Sequence, residues 1–344
     1  MKRTISVAGI LLLSTLMVHS QLSVKEQRQM KRFYNAGVEQ LIARDYIEAI
    51  SSFNQCLELD SSYAEAYLHR GRISAALGDY DKAISDLDLA LENDPELGEA
   101  YFYKGYFMFG KDTTGSSEEH LQMAIDKGFE MAEAYYFLGL SKLMAGEDDK
   151  ALIQFNKAIR MKDDYALAYH DRAGIKRRLG DYNGALYDYK TAVNYMEEFP
   201  LAYSNMGSVK IILGDYVGAI QDFSTAIEQD PDLYLAYNNR GYANYQLGGY
   251  DTAYVDFTKA LELSEDFKEA SLNKASVMVQ QDNLDNAIGL LDEILLVDPE
   301  FGILYLNRGL IKEMTGDLLG ACEDWNKALE LGEEIASEYL KECK

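Results

Sequence analysis

The chain repeats itself every 34 residues. Stepping by that interval from Gly37 meets Gly71, Gly105, Gly139, Ala173, Gly207, Gly241, Ala275 and Gly309. From Ala49 the same step meets Ala83, Ser117, Ala151, Ala185, Ala219, Ala253, Ala287 and Ala321. Nine copies fill 30–335 without insertion or deletion, as 30–63, 64–97, 98–131, 132–165, 166–199, 200–233, 234–267, 268–301 and 302–335. A fixed period of this size marks a stacked array, in which each copy buries its apolar face against its neighbours. It therefore overrides the two or three globular domains that a chain of 344 residues could otherwise hold.

The copy from Ala64 to Leu97 shows the plan most clearly. A first helix of about fourteen residues is expected to end at Gly78, where left-handed backbone closes a helix. Asp79 then caps a second helix that runs to about Asn93. Pro95, like Pro231 and Pro299, is expected at the first position of the next helix. Gly71, Ala83 and Ala90 let helix axes approach, while Tyr67, Tyr80 and Leu87 fill the space between turns. The third copy departs from the plan, with Asp112-Thr113-Thr114-Gly115 in place of Gly-Asp-Tyr, and Ser116 with Glu119 offers a capping box there. After the ninth copy, 336–344 continues in phase as a helix that caps the stack, lining Ile335, Tyr339 and Leu340 on one side.

This order of aromatic, small pair, Ala, large apolar, Ala and Pro resembles the tetratricopeptide repeat, over roughly nine tenths of the chain. The resemblance implies an all-α, right-handed α-solenoid of nine helix-turn-helix units plus the cap. It also implies that the first helices line a concave groove that binds a peptide or protein segment. Carried onto this sequence, the groove positions offer Phe102, Tyr103, Tyr106, Phe109, Tyr136, Phe137 and Met144, then His170, Asp171, Arg177 and Arg178. Further on they offer Asn205, Asn239, Tyr242, Tyr245, Asn273 and Asn307. Aromatic side chains rimmed by Arg have the composition of a binding hot spot, and the Asn series could hold peptide backbone. Some members of the family clamp an acidic C-terminus with Lys and Arg beside Asn. The Asn35, His69, Tyr103 and Asn205, Asn239, Asn273 series lack those cations, so that partner is not expected.

Residues 1–20 are of another kind. Lys2-Arg3, an apolar run from Ile5 to Val18 and then Ser20-Gln21 have the layout of a secretory signal. The run is short for a membrane span, which needs about 20 residues, and an uncleaved anchor is the alternative to a cleaved signal. The expectation is an exported chain, periplasmic or secreted, cleaved near Ser20/Gln21, with 21–29 as a short polar lead and no membrane span in the mature form. With 33 basic against 57 acidic residues and a net charge of −24, nucleic acid and anionic membrane are poor candidates for the main partner.

Comparing the copies with one another exposes a pair. Arg precedes the small residue at Arg70, Arg172, Arg240 and Arg308, and each is followed 16 residues later by Asp86, Asp188, Asp256 or Asp324. An ion pair across each hairpin is the economical explanation, with Asp222 opposite Met206 as the exception. Catalytic chemistry is not apparent. His69, His120 and His170 lack metal-ligand spacing, and no phosphate loop is present. His170 and Asp171, adjacent on a helix, point about 100° apart and are not expected to form a dyad. No cofactor and no metal are expected. Cys56 takes a core place, while Cys322 and Cys343 lie on the last full helix and on the cap, a candidate disulfide. The function expected is a non-catalytic interaction scaffold. The alternatives are a glycan- or peptide-processing enzyme subunit, which would need paired carboxylates in the groove, and a self-associating structural protein.

Overall fold

The computed structural model describes residues 22–109 and 115–343. The expected signal, the residues Asp112 to Thr114 and the terminal Lys344 lie outside them. Among the described residues the secondary structure is entirely helical. In chain order the helices are α1 (Val24–Ala43), α2 (Tyr46–Leu59), α3 (Ala64–Ala76), α4 (Tyr80–Asn93), α5 (Gly98–Met108), α6 (Ser116–Asp126) and α7 (Ala132–Met144). They continue as α8 (Asp148–Met161), α9 (Ala166–Arg178), α10 (Tyr182–Tyr195), α11 (Pro200–Ile212), α12 (Tyr216–Gln229), α13 (Tyr234–Gln246) and α14 (Tyr250–Leu263). The last are α15 (Lys268–Gln280), α16 (Leu284–Val297), α17 (Gly302–Met314), α18 (Leu318–Glu330) and α19 (Ala336–Tyr339), followed by a 3₁₀ turn at Leu340–Glu342.

Two compact units are present, one ending at Ser141 and the other beginning at Lys142. In the first, α1 pairs with α2, α3 with α4 and α5 with α6, and each pair packs on the next. In the second, α8 packs on α9, and the hairpins from α9–α10 to α17–α18 follow in the same manner, closed by α19 against α18.

Three columns of side chains make the core in both units. Place 20 of the repeat holds Ala49, Ala83, Ala151, Ala185, Ala219, Ala253, Ala287 and Ala321, all fully buried. Place 24 holds the large side chain of each hairpin, from Phe53 and Leu87 to Phe257, Leu291 and Trp325. Place 3 is Ala66, Ala100, Ala134, Ala168, Ala202, Ala236 and Ala270, each without exposed surface. Ala66 packs with Ala49, Phe53 and Cys56, and Ala236 with Ala219 and Phe223, so this column is what seats one repeat on the one before it. Small size at the glycines of place 8 is a steric requirement. A Cβ added at Gly309 would lie 2.5 Å from Trp325 Nε1, and one at Gly37 would lie 2.7 Å from Phe53 Cε1.

The hairpin corner follows from its sequence. Gly78 has φ 86°, and the Asp79 carboxylate accepts from Lys82 N at 3.1 Å. Asp181, Asp215 and Asp317 likewise accept from the amides of Gly184, Gly218 and Gly320.

Several expectations are corrected. Pro95 and Pro231 do not open helices; they sit in turns in which Leu97 N donates to Asp94 O at 3.2 Å and Leu233 N to Asp230 O at 3.3 Å. Proline's fixed φ suits the second place of such a turn, and Pro299 also precedes its helix, α17. Pro200, by contrast, does start α11. The proposed Ser116–Glu119 capping box is absent: α6 is entered from Gly115, at φ 82°, which has no side chain to cap with. Tyr80 rims a hairpin, partly exposed, instead of filling it. The cap is the short helix α19 continued by the 3₁₀ turn at Leu340–Glu342. Ala336 is its buried residue and Ile335 is exposed, while Tyr339 stacks on Trp325 with ring centroids 5.2 Å apart.

Candidate functional site

In the first unit an aromatic cluster forms at the ends of α3 and α5. A cavity of about 510 Å³ is lined by Arg72, Ala75, Ala76, Tyr80, Tyr103, Tyr106, Phe107 and Phe109. Its rings hold one another. Phe107 lies 6.0 Å from Tyr80, 5.7 Å from Tyr103 and 5.6 Å from Tyr106, and Tyr106 lies 4.7 Å from Phe137. Phe109 meets Phe137 edge-on at 5.5 Å. Tyr106 keeps 42% of its surface exposed, so the cluster presents apolar area to solvent despite this packing.

Arg72 is the cation of this cavity, and it is already committed. Its guanidinium lies over the Tyr103 ring at 4.5 Å, donates to Glu99 at 3.2 Å and donates to His69 Nδ1 at 3.3 Å. Because arginine only donates, His69 Nδ1 must accept, which leaves the ring proton on Nε2 for Tyr34 Oη, 3.1 Å away. Burial, and then the charge of Arg72, push the His69 pKa down to about 4, so the ring is neutral. The cavity is thus walled by rings and one compensated charge.

Two candidates for this surface are corrected. Phe102 and Tyr136 are buried. Phe102 packs with Leu121 and Ala124 of its own hairpin and with Leu138 of the next, because place 5 of the repeat faces inward between the two. Phe107 and Arg72 were not singled out from the sequence, and Tyr80 was expected as packing between turns. A signal did exist for Phe107: its place otherwise holds smaller side chains such as Ile73, Ile175, Val209, Ala243 and Val277, which are buried. A ring there is too large for the slot and stands out of it.

In the second unit the corresponding side chains are polar and largely tied to one another. Asn205 Nδ2 lies 3.1 Å from His170 Nε2, Asn273 Nδ2 donates to Asn238 Oδ1 at 3.0 Å, and Asn239 Nδ2 reaches Ser208 Oγ at 3.5 Å. Arg178 binds Asp148 through Nη2 at 2.6 Å, whereas Arg177 makes no ion pair among the described residues. Tyr242 is half-buried against the cluster of Phe257 and Val277. The expectation for His170 is overturned: its Nδ1 lies 2.9 Å from Asp171 Oδ1. With Asn205 donating to Nε2, the ring proton sits on Nδ1 and goes to the carboxylate. The second nitrogen is occupied, so the pair holds position and offers no free base.

The four arginines are bidentate on their aspartates. Nε and Nη2 reach the carboxylate at 2.9 and 2.5 Å for Arg70–Asp86, and at 2.7 and 2.7 Å for Arg172–Asp188. The distances are 3.0 and 2.7 Å for Arg240–Asp256, and 2.8 and 2.5 Å for Arg308–Asp324. The remaining nitrogen, Nη1, crosses to the preceding repeat. It donates to Asn54 at 2.7 Å, Asn156 at 2.6 Å, Ser224 at 3.1 Å and Asp292 at 2.5 Å. Each guanidinium therefore fastens two hairpins together. Asp222, which lacks an arginine, is met instead by Lys210 Nζ at 2.6 Å. Burial pushes this carboxyl above its ordinary range, with Lys210 opposing.

Cys322 and Cys343 are bonded, with Cα atoms 5.8 Å apart, and fasten the cap to α18. Cys56 is a buried free thiol. Among the described residues no group of three or more His, Cys, Asp or Glu is placed to hold a metal ion. None of the described helices is long and apolar enough to cross a membrane.

These hairpins match known ones. Family models described as tetratricopeptide repeat match residues 34–97 and 234–267, and one described as TPR repeat matches 207–248. The matched stretches are tetratricopeptide repeats, units from which protein-interaction scaffolds are built. No curated protein matches it in sequence. Among solved structures it is similar to a tetratricopeptide repeat protein from Parabacteroides merdae, with 24% identity and a TM-score of 0.55, covering 72% of this chain and 98% of that one. It is also similar to PilF of Pseudomonas aeruginosa, with 15% identity and a TM-score of 0.56 over 62% of this chain and 96% of the other. A third likeness is to the Cut9–Hcn1 hetero-tetramer of APC/C, with 16% identity and a TM-score of 0.55 over 91% and 76%.

Proposed function

We propose that this chain is a non-catalytic scaffold whose aromatic cavity in the first unit receives an apolar segment of a partner protein. The observation that carries this reading is the cavity of about 510 Å³ walled by Tyr80, Tyr103, Tyr106, Phe107 and Phe109. Its one cation is neutralised by Glu99, so an acidic anchor gains little there. Aromatic or branched aliphatic side chains fill such a wall best, each fully buried anchor contributing about 1.5–3 kcal/mol. The polar second unit has most of its amide donors engaged between repeats and is the weaker candidate. We further propose that the chain works outside the cytoplasm. The layout of residues 1–20 and the Cys322–Cys343 bond, which suits an oxidising compartment, support this.

Photo-crosslinking in the native cell tests the site. A crosslinker replacing Tyr106 should give one dominant product, while one replacing the exposed Lys190 on α10 should give none. Equal smears at both positions, or no product at Tyr106, would discard the cavity as a binding surface.

A further inference from the structure

We propose that the exposed basic row of α1 docks on the anionic headgroups of a phospholipid membrane. This helix has 20 residues where α3 has 13, because residues 24–29 extend it ahead of the first repeat. Lys25, Arg28 and Arg32 follow one another at helical spacing on one face, with Lys31 beside them, and all four are exposed. None of the four makes an ion pair among the described residues, whereas most cations of the repeats face a carboxylate, as Lys176 does Asp188 and Lys312 does Asp324. The one acid within the row is turned toward the helix start. Glu26 Oε2 accepts from Ser23 N at 2.8 Å, and Ser23 Oγ accepts from Glu26 N at 3.3 Å.

Arg32 shows that this face is open. It stands at place 3, where the next seven repeats carry the fully buried alanines that seat each on its predecessor. A guanidinium there admits no further repeat, and solvent or a charged surface meets it instead.

The membrane is favoured as the occupant by what precedes the row. The apolar run Ile5 to Val18 ends six residues before Val24. At about 3.5 Å per residue, six residues keep the row within roughly 20 Å of any membrane in which that run is seated. Val24, 66% exposed at the head of the row, adds an apolar contact suited to the interface. The net charge of −24 bears on the whole chain, whereas screening makes the electrostatics of this row local. Lys25 to Arg32 covers about 10 Å of helix with Glu26 as its one acid, and the Debye length is about 8 Å at physiological salt, so the charge of the distant repeats is screened from it. Each cation at an anionic surface raises partition roughly five-fold, so four set an upper bound of several hundred-fold.

The test is co-sedimentation of the full chain with neutral phosphatidylcholine vesicles and with vesicles containing about one third phosphatidylglycerol. Lys2 and Arg3 ahead of the apolar run also favour anionic lipid, so the reading is the change in the ratio between the two vesicles from the wild-type chain to each variant. The wild-type chain should prefer the anionic vesicles at least ten-fold at low salt. The variant K25Q/R28Q/K31Q/R32Q should lose most of that preference, and R160Q/K190Q, which removes exposed charge elsewhere, should keep it. Gln suits an exposed helix, and circular dichroism checks that the quadruple variant folds. Equal binding to both vesicles, or an undiminished preference in the quadruple variant, overturns the proposal.

Discussion

Replacing Arg70 by Met should open the second repeat locally, and replacing Asp86 as well should close it again. Asp86 is 5% exposed at its side chain and Arg70 19% exposed, so the pair is desolvated but not sealed. Breaking a fully buried pair costs about 3–5 kcal/mol, because one charge is left without its partner. The water that reaches Arg70 reduces this to about 2–4 kcal/mol, including about 1 kcal/mol for the lost bond to Asn54. The double variant R70M/D86L removes both charges and keeps apolar volume, which is often neutral, so it should return to within about 1 kcal/mol of the parent. A stacked array opens piecewise, so the assay is hydrogen exchange on peptides from α3 and α4. Protection there should fall roughly 30- to 800-fold in R70M and recover in the double variant, at tenfold per 1.4 kcal/mol. The pair Lys104–Asp88 is the control, because the carboxylate left behind is half exposed, and K104M should change exchange by less than about five-fold. If R70M stays within three-fold of the parent, or the double variant is worse than the single, the charge-burial reasoning fails.

Two other perturbations are decided by single contacts. The folded-state pKa of His69, about 4, lies below its ordinary 6.5, so between these values the unfolded chain binds more protons. Stability from this site is complete above pH 6.5 and is lost as pH falls toward 4, by about 2–3 kcal/mol. Denaturation midpoints of H69Q should lack that slope, and a variant as acid-sensitive as the parent would contradict it. In G309A the new Cβ meets Trp325 Nε1 at 2.5 Å and Ala321 O at 3.2 Å. Overpacking of about 1–3 kcal/mol outweighs a helix-propensity gain of about 1 kcal/mol. A lower denaturation midpoint with altered Trp325 emission should result, and an unchanged midpoint would mean that the ring yields freely.

Where a feature depends on period alone, the sequence shows it. The small residues of places 3, 8 and 20 recur, and at place-8 glycines such as Gly105 and Gly309 an added Cβ would meet a ring or a carbonyl, so the hairpins could be counted without coordinates. The pairing of arginine with aspartate is visible for the same reason, since nine copies form their own comparison set. What the period cannot give is the angle between neighbouring repeats. That angle decides whether place 5 faces solvent or the next hairpin, which is why Phe102 and Tyr136 were assigned to a surface they do not reach. Nor does it give side-chain rotamers. His170 and Asp171 leave the helix in different directions, yet bend together through their χ angles because Asn205 fixes the far nitrogen. Arg72 was overlooked because its importance lies in what neutralises it, and that partner, Glu99, is 27 residues away.

The guanidinium clamps also impose a second, longer wavelength. Arg172, Arg240 and Arg308 stand 68 residues apart, as do Asp188, Asp256 and Asp324. The apolar lattice of the second unit thus has a period of one hairpin, while its polar lattice has a period of two. Hairpins there come as riveted couples, each joined to the next couple without an arginine, through apolar contact and amide bonds such as Asn205 to His170 and Asn273 to Asn238. Cutting out one hairpin would keep the apolar lattice in step and bring clamped seams side by side, or remove one altogether. Cutting out a couple would leave both lattices in register, so the natural increment for lengthening or shortening this half of the chain is 68 residues.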